Sequence, residues 1–169
     1  MNTVLAAWNQ ADEPSAFDAM LACCAARRWA QAMVALRPCS SVENLSLTAD
    51  EVWSTMEEPD WMEAFAVHPR IGERKTSGTE SASVLWSEQE QFSTRSAPQQ
   101  LIANLAEANR RYEERFGFTY IVCATGKTAE QMLLILERRL ANNRETELQE
   151  AAEQQRLIMH IRLTKWLSE

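Results

Sequence analysis

Residues 148–166 read LQEAAEQQRLIMHIRLTKW, and steps of three or four residues place Leu148, Ala152, Gln155, Ile158, Arg162 and Trp166 on one stripe. A helix that buries one face against a core requires such a stripe. Arg162 falls on it, so its charge is directed inward or to the edge of a cleft. An unpaired buried charge costs several kcal/mol, on the order given by ion burial in proteins, so this guanidinium needs a partner. A structural carboxylate and an anionic ligand satisfy it equally well. His160, two residues earlier, lies off the stripe and is expected to be exposed.

The helical period recurs outward from this segment. Phe17, Met20, Leu21 and Cys24 form one face, and Trp29, Met33 and Leu36 another, ending at Arg37-Pro38. Ser40 to Leu47 reads as a connector, after which Thr48-Ala49-Asp50-Glu51 has the pattern of a capped helix start. Trp61, Met62 and Phe65 share a face until His68-Pro69-Arg70-Ile71-Gly72 interrupts it. The polar run from there to about Ser83 reads as a surface loop.

Leu101, Leu105, Ala108 and Tyr112 resume the period, with Gly117 placed to end that helix. Thr128-Ala129-Glu130-Gln131 opens another helix through Met132, Ile135, Leu136 and Leu140. Tyr120-Ile121-Val122-Cys123-Ala124 is β-prone but has no partner run, so it is expected as a buried extended segment. The reading is all-α: one domain over residues 1–169, a compact bundle of about seven to nine helices with two extended loops.

Composition agrees. Only 4 Gly and 5 Pro leave too few turn signals for many short strands, and 46% hydrophobic with 24% charged residues suits a folded chain. A net charge of −7 disfavours broad contact with nucleic acid or an anionic membrane. No run approaches the roughly 20 apolar residues of a membrane span, and neither terminus carries a targeting pattern, so a soluble cytoplasmic protein is expected. Cys23, Cys24, Cys39 and Cys123 lack ligand spacing and read as reduced core thiols. With no Gly-rich phosphate loop and no metal motif, no cofactor is expected.

Three features have chemical potential. His68, directly before a proline, is held out of any helix and can present an imidazole to a pocket, although on spacing alone a surface-turn histidine is the favoured reading. Ser87-Glu88-Gln89-Glu90-Gln91 either caps a helix through Ser87 and Glu90 or turns Glu90 and Gln91 into a cavity. Arg162 is the third.

His68-Pro69-Arg70-Ile71-Gly72, Ser87-x-x-Glu90-Gln91, Asn109-x-x-Tyr112-x-x-x-Phe116-Gly117-Phe118, Arg139-Leu140-x-Asn142-x-x-x-x-Glu147 and Arg162-Leu163 follow one another in this order. Together they resemble the 2-oxo-4-hydroxy-4-carboxy-5-ureidoimidazoline (OHCU) decarboxylases, over most of the chain. The resemblance implies an all-helical, cofactor-independent homodimer that converts this small molecule to (S)-allantoin in urate catabolism. It implies His68 as the catalytic histidine, Glu90 as its acidic partner and Arg162 as a third catalytic position. Pro69, Ser87, Gln91 and Tyr120, Ile121, Val122, Cys123 and Ala124 correspond to substrate-binding positions. Glu88-Gln89 offers a second register; the one that sets Ser87 three residues before Glu90 is preferred. A hydrolase or isomerase of a related ureido compound and a non-catalytic helical binding module are the competing expectations.

Overall fold

A computed structural model of the chain describes residues 2–73 and 82–169. Among these residues there are nine α-helices and no strand: α1 Thr3–Gln10, α2 Glu13–Cys23, α3 Arg27–Ala35, α4 Val42–Ser54, α5 Glu58–Ala66, α6 Ala82–Glu90, α7 Gln99–Phe116, α8 Ala129–Arg139 and α9 Arg144–Trp166. One 3-10 turn, Phe92–Thr94, follows α6. The all-α expectation holds. The chain groups into two compact units, Met1–Ala64 with Arg156–Glu169, and Phe65–Gln155.

In the first unit the core is built from tryptophans and small or flexible side chains. Trp8 meets Trp166 edge-on at 6.0 Å, and its indole N–H donates to the Ala16 carbonyl. Trp29, fully buried, donates to the Ala49 carbonyl, and Met20, Met33 and Leu45 are buried in the same unit. Each such side chain taken from water contributes about 1.5–3 kcal/mol. All four cysteines are free and buried, as expected.

The second unit is centred on a ring cluster of Phe65, Tyr112, Phe116, Phe118 and Tyr120, with centroid separations between 4.7 Å and 6.2 Å. The Phe116-Gly117-Phe118 turn makes this possible. Gly117 takes φ +81°, which side-chain-bearing residues rarely adopt, and its N–H closes α7 on the Glu113 carbonyl. Phe116 and Phe118 are thereby both returned to the core. Tyr120 to Ala124 is neither helix nor strand and is buried throughout, as its sequence predicts. Thr128 and Gln131 form the expected capping box of α8.

Three local expectations are corrected. Ser40–Leu47 is not a connector: Ser41 caps α4 by accepting the Asn44 N–H, and Thr48 lies inside that helix, because Leu45, Ala49 and Val52 continue one buried face through it. Ser87 is not a cap either. It lies within α6, and its hydroxyl donates back to the Ser83 carbonyl four residues earlier. His160 is half-buried rather than exposed, since its Nε2 meets the Asp50 carboxylate at 2.6 Å and its Nδ1 meets the Ser46 hydroxyl. Most of the polar run after Gly72 lies outside the described residues.

Candidate active site

His68 follows the end of α5, its backbone N–H donates to the Phe65 carbonyl, and Pro69 after it keeps the helix from continuing. The segment it begins is pinned at four places. Gln91 of the turn after α6 accepts the Gly72 N–H at 3.1 Å through Oε1 and reaches the Pro69 carbonyl at 3.5 Å through Nε2. Asn109 of α7 donates to the Ile71 carbonyl at 3.1 Å. Arg70 grips Glu113 with two parallel bonds of 2.7 Å and 2.8 Å, and this guanidinium holds the Glu113 carboxyl below the usual carboxylate range. Side chains from α7 and from the turn after α6 thus fix a loop that has no regular structure of its own.

A cavity of about 220 Å³ opens beside this loop, lined among others by Pro69, Gly72, Ser87, Glu88, Gln91 and Ile102. Pro69, Ser87 and Gln91, three of the expected substrate-contacting positions, therefore meet in one concavity. Glu88 lines it as well, with its carboxylate 3.4 Å from Arg95. Glu90 is not among the lining residues; it lies half-buried at the end of α6, close enough for its charge to act on the Cys123 thiol. Burial pushes that thiol up, Lys127 opposes the shift and Glu90 adds to it. The acidic residue of the preferred register thus lies near Cys123, and that of the other register at the cavity.

Tyr120, Ile121, Val122, Cys123 and Ala124 are not among the residues that line this cavity, and their segment is held by contacts of its own. Arg139 Nη1 donates to the Ile121 carbonyl at 2.7 Å, the Tyr120 hydroxyl donates to the Met132 carbonyl, and the Cys123 N–H donates to Gln154 Oε1 at 2.9 Å. Arg139 is 1% exposed and Glu147 0%. The Glu147 carboxylate accepts from Arg139 Nε at 2.7 Å, from Asn142 at 2.9 Å and from the Tyr112 hydroxyl. Burial disfavours the Arg139 charge, but the bond to Glu147 together with the electrostatic effects of Tyr112, Glu147 and Tyr120 outweighs it. Burial also pushes the Tyr112 hydroxyl up, so it remains a proton donor.

His68 has one further contact that the sequence reading did not foresee: its Nε2 lies 2.7 Å from Oε1 of Gln155, a residue 1% exposed on α9. The signal was available, since Gln155 is a polar residue on an apolar stripe, as Arg162 is. Asn109, Gln154 and the Glu147 cluster were also missed as supports; their signal is a run of polar residues at buried helical positions.

Arg162 lies in the other unit and is 1% exposed, so the inward direction read from the stripe is correct. Its charge acts on the Cys23 and Cys24 thiols, but burial pushes both up, Cys24 to about 12, so they remain neutral near pH 7. Among the described residues no cluster of three or more His, Cys, Asp or Glu could hold a metal ion, and no helix is long and apolar enough to cross a membrane.

The fold and the cavity define an all-α protein with a concavity fit for a compact ligand beside a pinned loop, and His68 itself is not among the residues that line it. The chain belongs to the OHCU decarboxylase family, whose family model matches residues 9–164. It is 36% identical over 151 residues to the uric acid degradation bifunctional protein TTL of Arabidopsis thaliana, covering 87% of this chain and 46% of that protein. With the uric acid degradation bifunctional protein PucL of Bacillus subtilis it shares 30% identity over 140 residues, 83% of this chain and 28% of the other. It thus spans less than half the length of these curated relatives. The 2-oxo-4-hydroxy-4-carboxy-5-ureidoimidazoline decarboxylase of Haloferax volcanii is 25% identical over 132 residues, 78% of this chain and 76% of that one. A crystal structure of OHCU decarboxylase in the presence of (S)-allantoin superposes with a TM-score of 0.77 at 30% identity, covering 90% of this chain and 99% of that one.

Proposed function

We propose that this protein decarboxylates 2-oxo-4-hydroxy-4-carboxy-5-ureidoimidazoline to (S)-allantoin in urate breakdown, as a cytoplasmic homodimer. The observation that carries the reading is the cavity that joins Pro69, Ser87 and Gln91 beside the fixed His68 loop, in a chain of this family.

The substrate bears a hydroxyl and a carboxylate on one ring carbon, next to a carbon–nitrogen double bond. When the carbon–carboxylate bond breaks, carbon dioxide leaves, the bond's electron pair forms a carbon–carbon double bond in the ring and the C=N pair moves to the ring nitrogen, which takes a proton from water, so the molecule contains its own electron sink. The hydroxyl must then give up its proton as the ring carbonyl forms, and the neighbouring carbon must gain one from a single face. In the proposal His68 and Glu90 manage the hydroxyl proton as an acid–base pair. Ser87, Gln91 and the Tyr120–Ala124 backbone hold the ureido group and ring so that only one face is protonated. Arg162 is assigned to the substrate by the resemblance, and its own variant tests that role.

The test generates the unstable substrate in situ from urate with urate oxidase and the intervening hydrolase, then follows allantoin by circular dichroism with and without the protein. A fast, single (S)-allantoin signal is expected, reduced by a factor on the order of 10² to 10⁴ in His68→Ala. Only the slow racemic background with the native protein would overturn the proposal.

A further inference from the structure

We infer that Gln155 is a positioning residue that fixes the tautomer and ring orientation of His68, an inference that rests on the proposed acid–base role of that histidine. Gln155 and His68 both belong to the Phe65–Gln155 unit. The 2.7 Å contact joins His68 Nε2 to the amide oxygen of Gln155. A carbonyl oxygen only accepts, so Nε2 carries the proton and the lone pair of the neutral ring is on Nδ1.

The rest of the Gln155 amide gives the contact its meaning. Its Nε2 is buried and has no hydrogen-bond partner. Position 155 is on the apolar stripe of α9, between Ala152 and Ile158, where a leucine or methionine would satisfy the helix and leave no polar atom stranded. Within α9 the amide therefore gains nothing; what it supplies is an acceptor at His68. The neighbouring Gln154 does the same for the segment through Cys123 by accepting the Cys123 N–H at 2.9 Å. Consecutive glutamines on one helical turn thus tie down the histidine and the backbone that is proposed to face the substrate.

A tautomer lock matters for a residue that moves a proton. An imidazole that exchanges between its two neutral forms presents a base at a given nitrogen only part of the time, and a ring free to turn about its side-chain bonds presents it at varying distance. A carbonyl fixed on a helix removes both freedoms.

The chain has only two histidines, His68 and His160, so a protein carrying ¹⁵N in its histidine rings gives two imidazole patterns that His160→Gln assigns. Long-range nitrogen–proton correlation spectra report which nitrogen is protonated. The native protein is expected to show His68 in the Nε2–H form. Gln155→Leu and Gln155→Met are expected to give a mixture of tautomers, to keep the melting temperature within about 4 °C of native, and to lower kcat on the order of tenfold or more with KM little changed. Gln155→Glu, which retains an acceptor at similar reach, is expected to restore the Nε2–H form. A native spectrum dominated by Nδ1–H, or a Nε2–H pattern unchanged in both apolar variants, overturns the inference. The spectra need no turnover: if the native protein makes no (S)-allantoin while the apolar variants lose the single tautomer, the proposed reaction fails and the role of Gln155 stands.

Discussion

Glu147→Ala removes a carboxylate that three side chains share. It leaves the Arg139 guanidinium, 1% exposed, with the Ile121 carbonyl in place of a counter-charge, and takes the acceptor from the Tyr112 hydroxyl and the Asn142 amide. Removing one partner of a buried ion pair costs about 3–5 kcal/mol, because the remaining charge stays desolvated. Against a total stability of about 5–15 kcal/mol, that is a large share. At this chain length each kcal/mol moves the melting temperature by about 2–4 °C, so a fall of about 6–20 °C is expected in a circular-dichroism melt. The triple replacement Tyr112→Phe, Arg139→Met, Glu147→Leu strands no charge and should recover most of the loss. A drop below about 2 °C for Glu147→Ala would show that the cluster does not hold the fold as described.

Two further outcomes follow from charges in the other unit. Burial acts against the Asp50 carboxylate, but hydrogen bonds from His160 and Arg156 outweigh it and hold Asp50 below its ordinary range. A depressed folded value means the contribution is complete above the unfolded value near about 3.9 and fades as pH falls through the folded one. Asp50→Asn should therefore flatten the acid limb of the urea midpoint below about pH 4, by under about 1 kcal/mol because the pair is partly solvated; an unchanged limb would remove Asp50 from acid stability. For Arg162→Ala a raised KM together with lower turnover is expected in the (S)-allantoin assay, whereas a melted fold that retains ligand affinity would assign this guanidinium to structural pairing.

Periodicity carried the fold reading where apolar residues recur cleanly. The α9 stripe, the turn at Gly117 and the capping box at Thr128 were each legible because the local chemistry admits one solution. The capping pattern misled at Thr48 and Ser87, because a Ser or Thr three residues before a Glu is as compatible with a helix interior as with a start. Only the apolar face running through Leu45, Ala49 and Val52 settles which. The same ambiguity separates Glu88 from Glu90: both are acidic, but two residues set them on nearly opposite sides of a helix, and the fold puts Glu88 in the cavity lining and Glu90 near Cys123.

By itself, the sequence determined that the chain is helical, that His68 is excluded from a helix by Pro69, and that Arg162 points inward, since each depends on neighbours within a turn or two. The tertiary structure alone decided what those groups meet. Gln155 reaches His68 across 87 positions, and Glu147 reaches Tyr112 across 35. A polar residue on an apolar face announces that a partner exists, but only the packing of distant helices supplies which one, because a hydrogen bond is set by distance and direction in space rather than by separation along the chain.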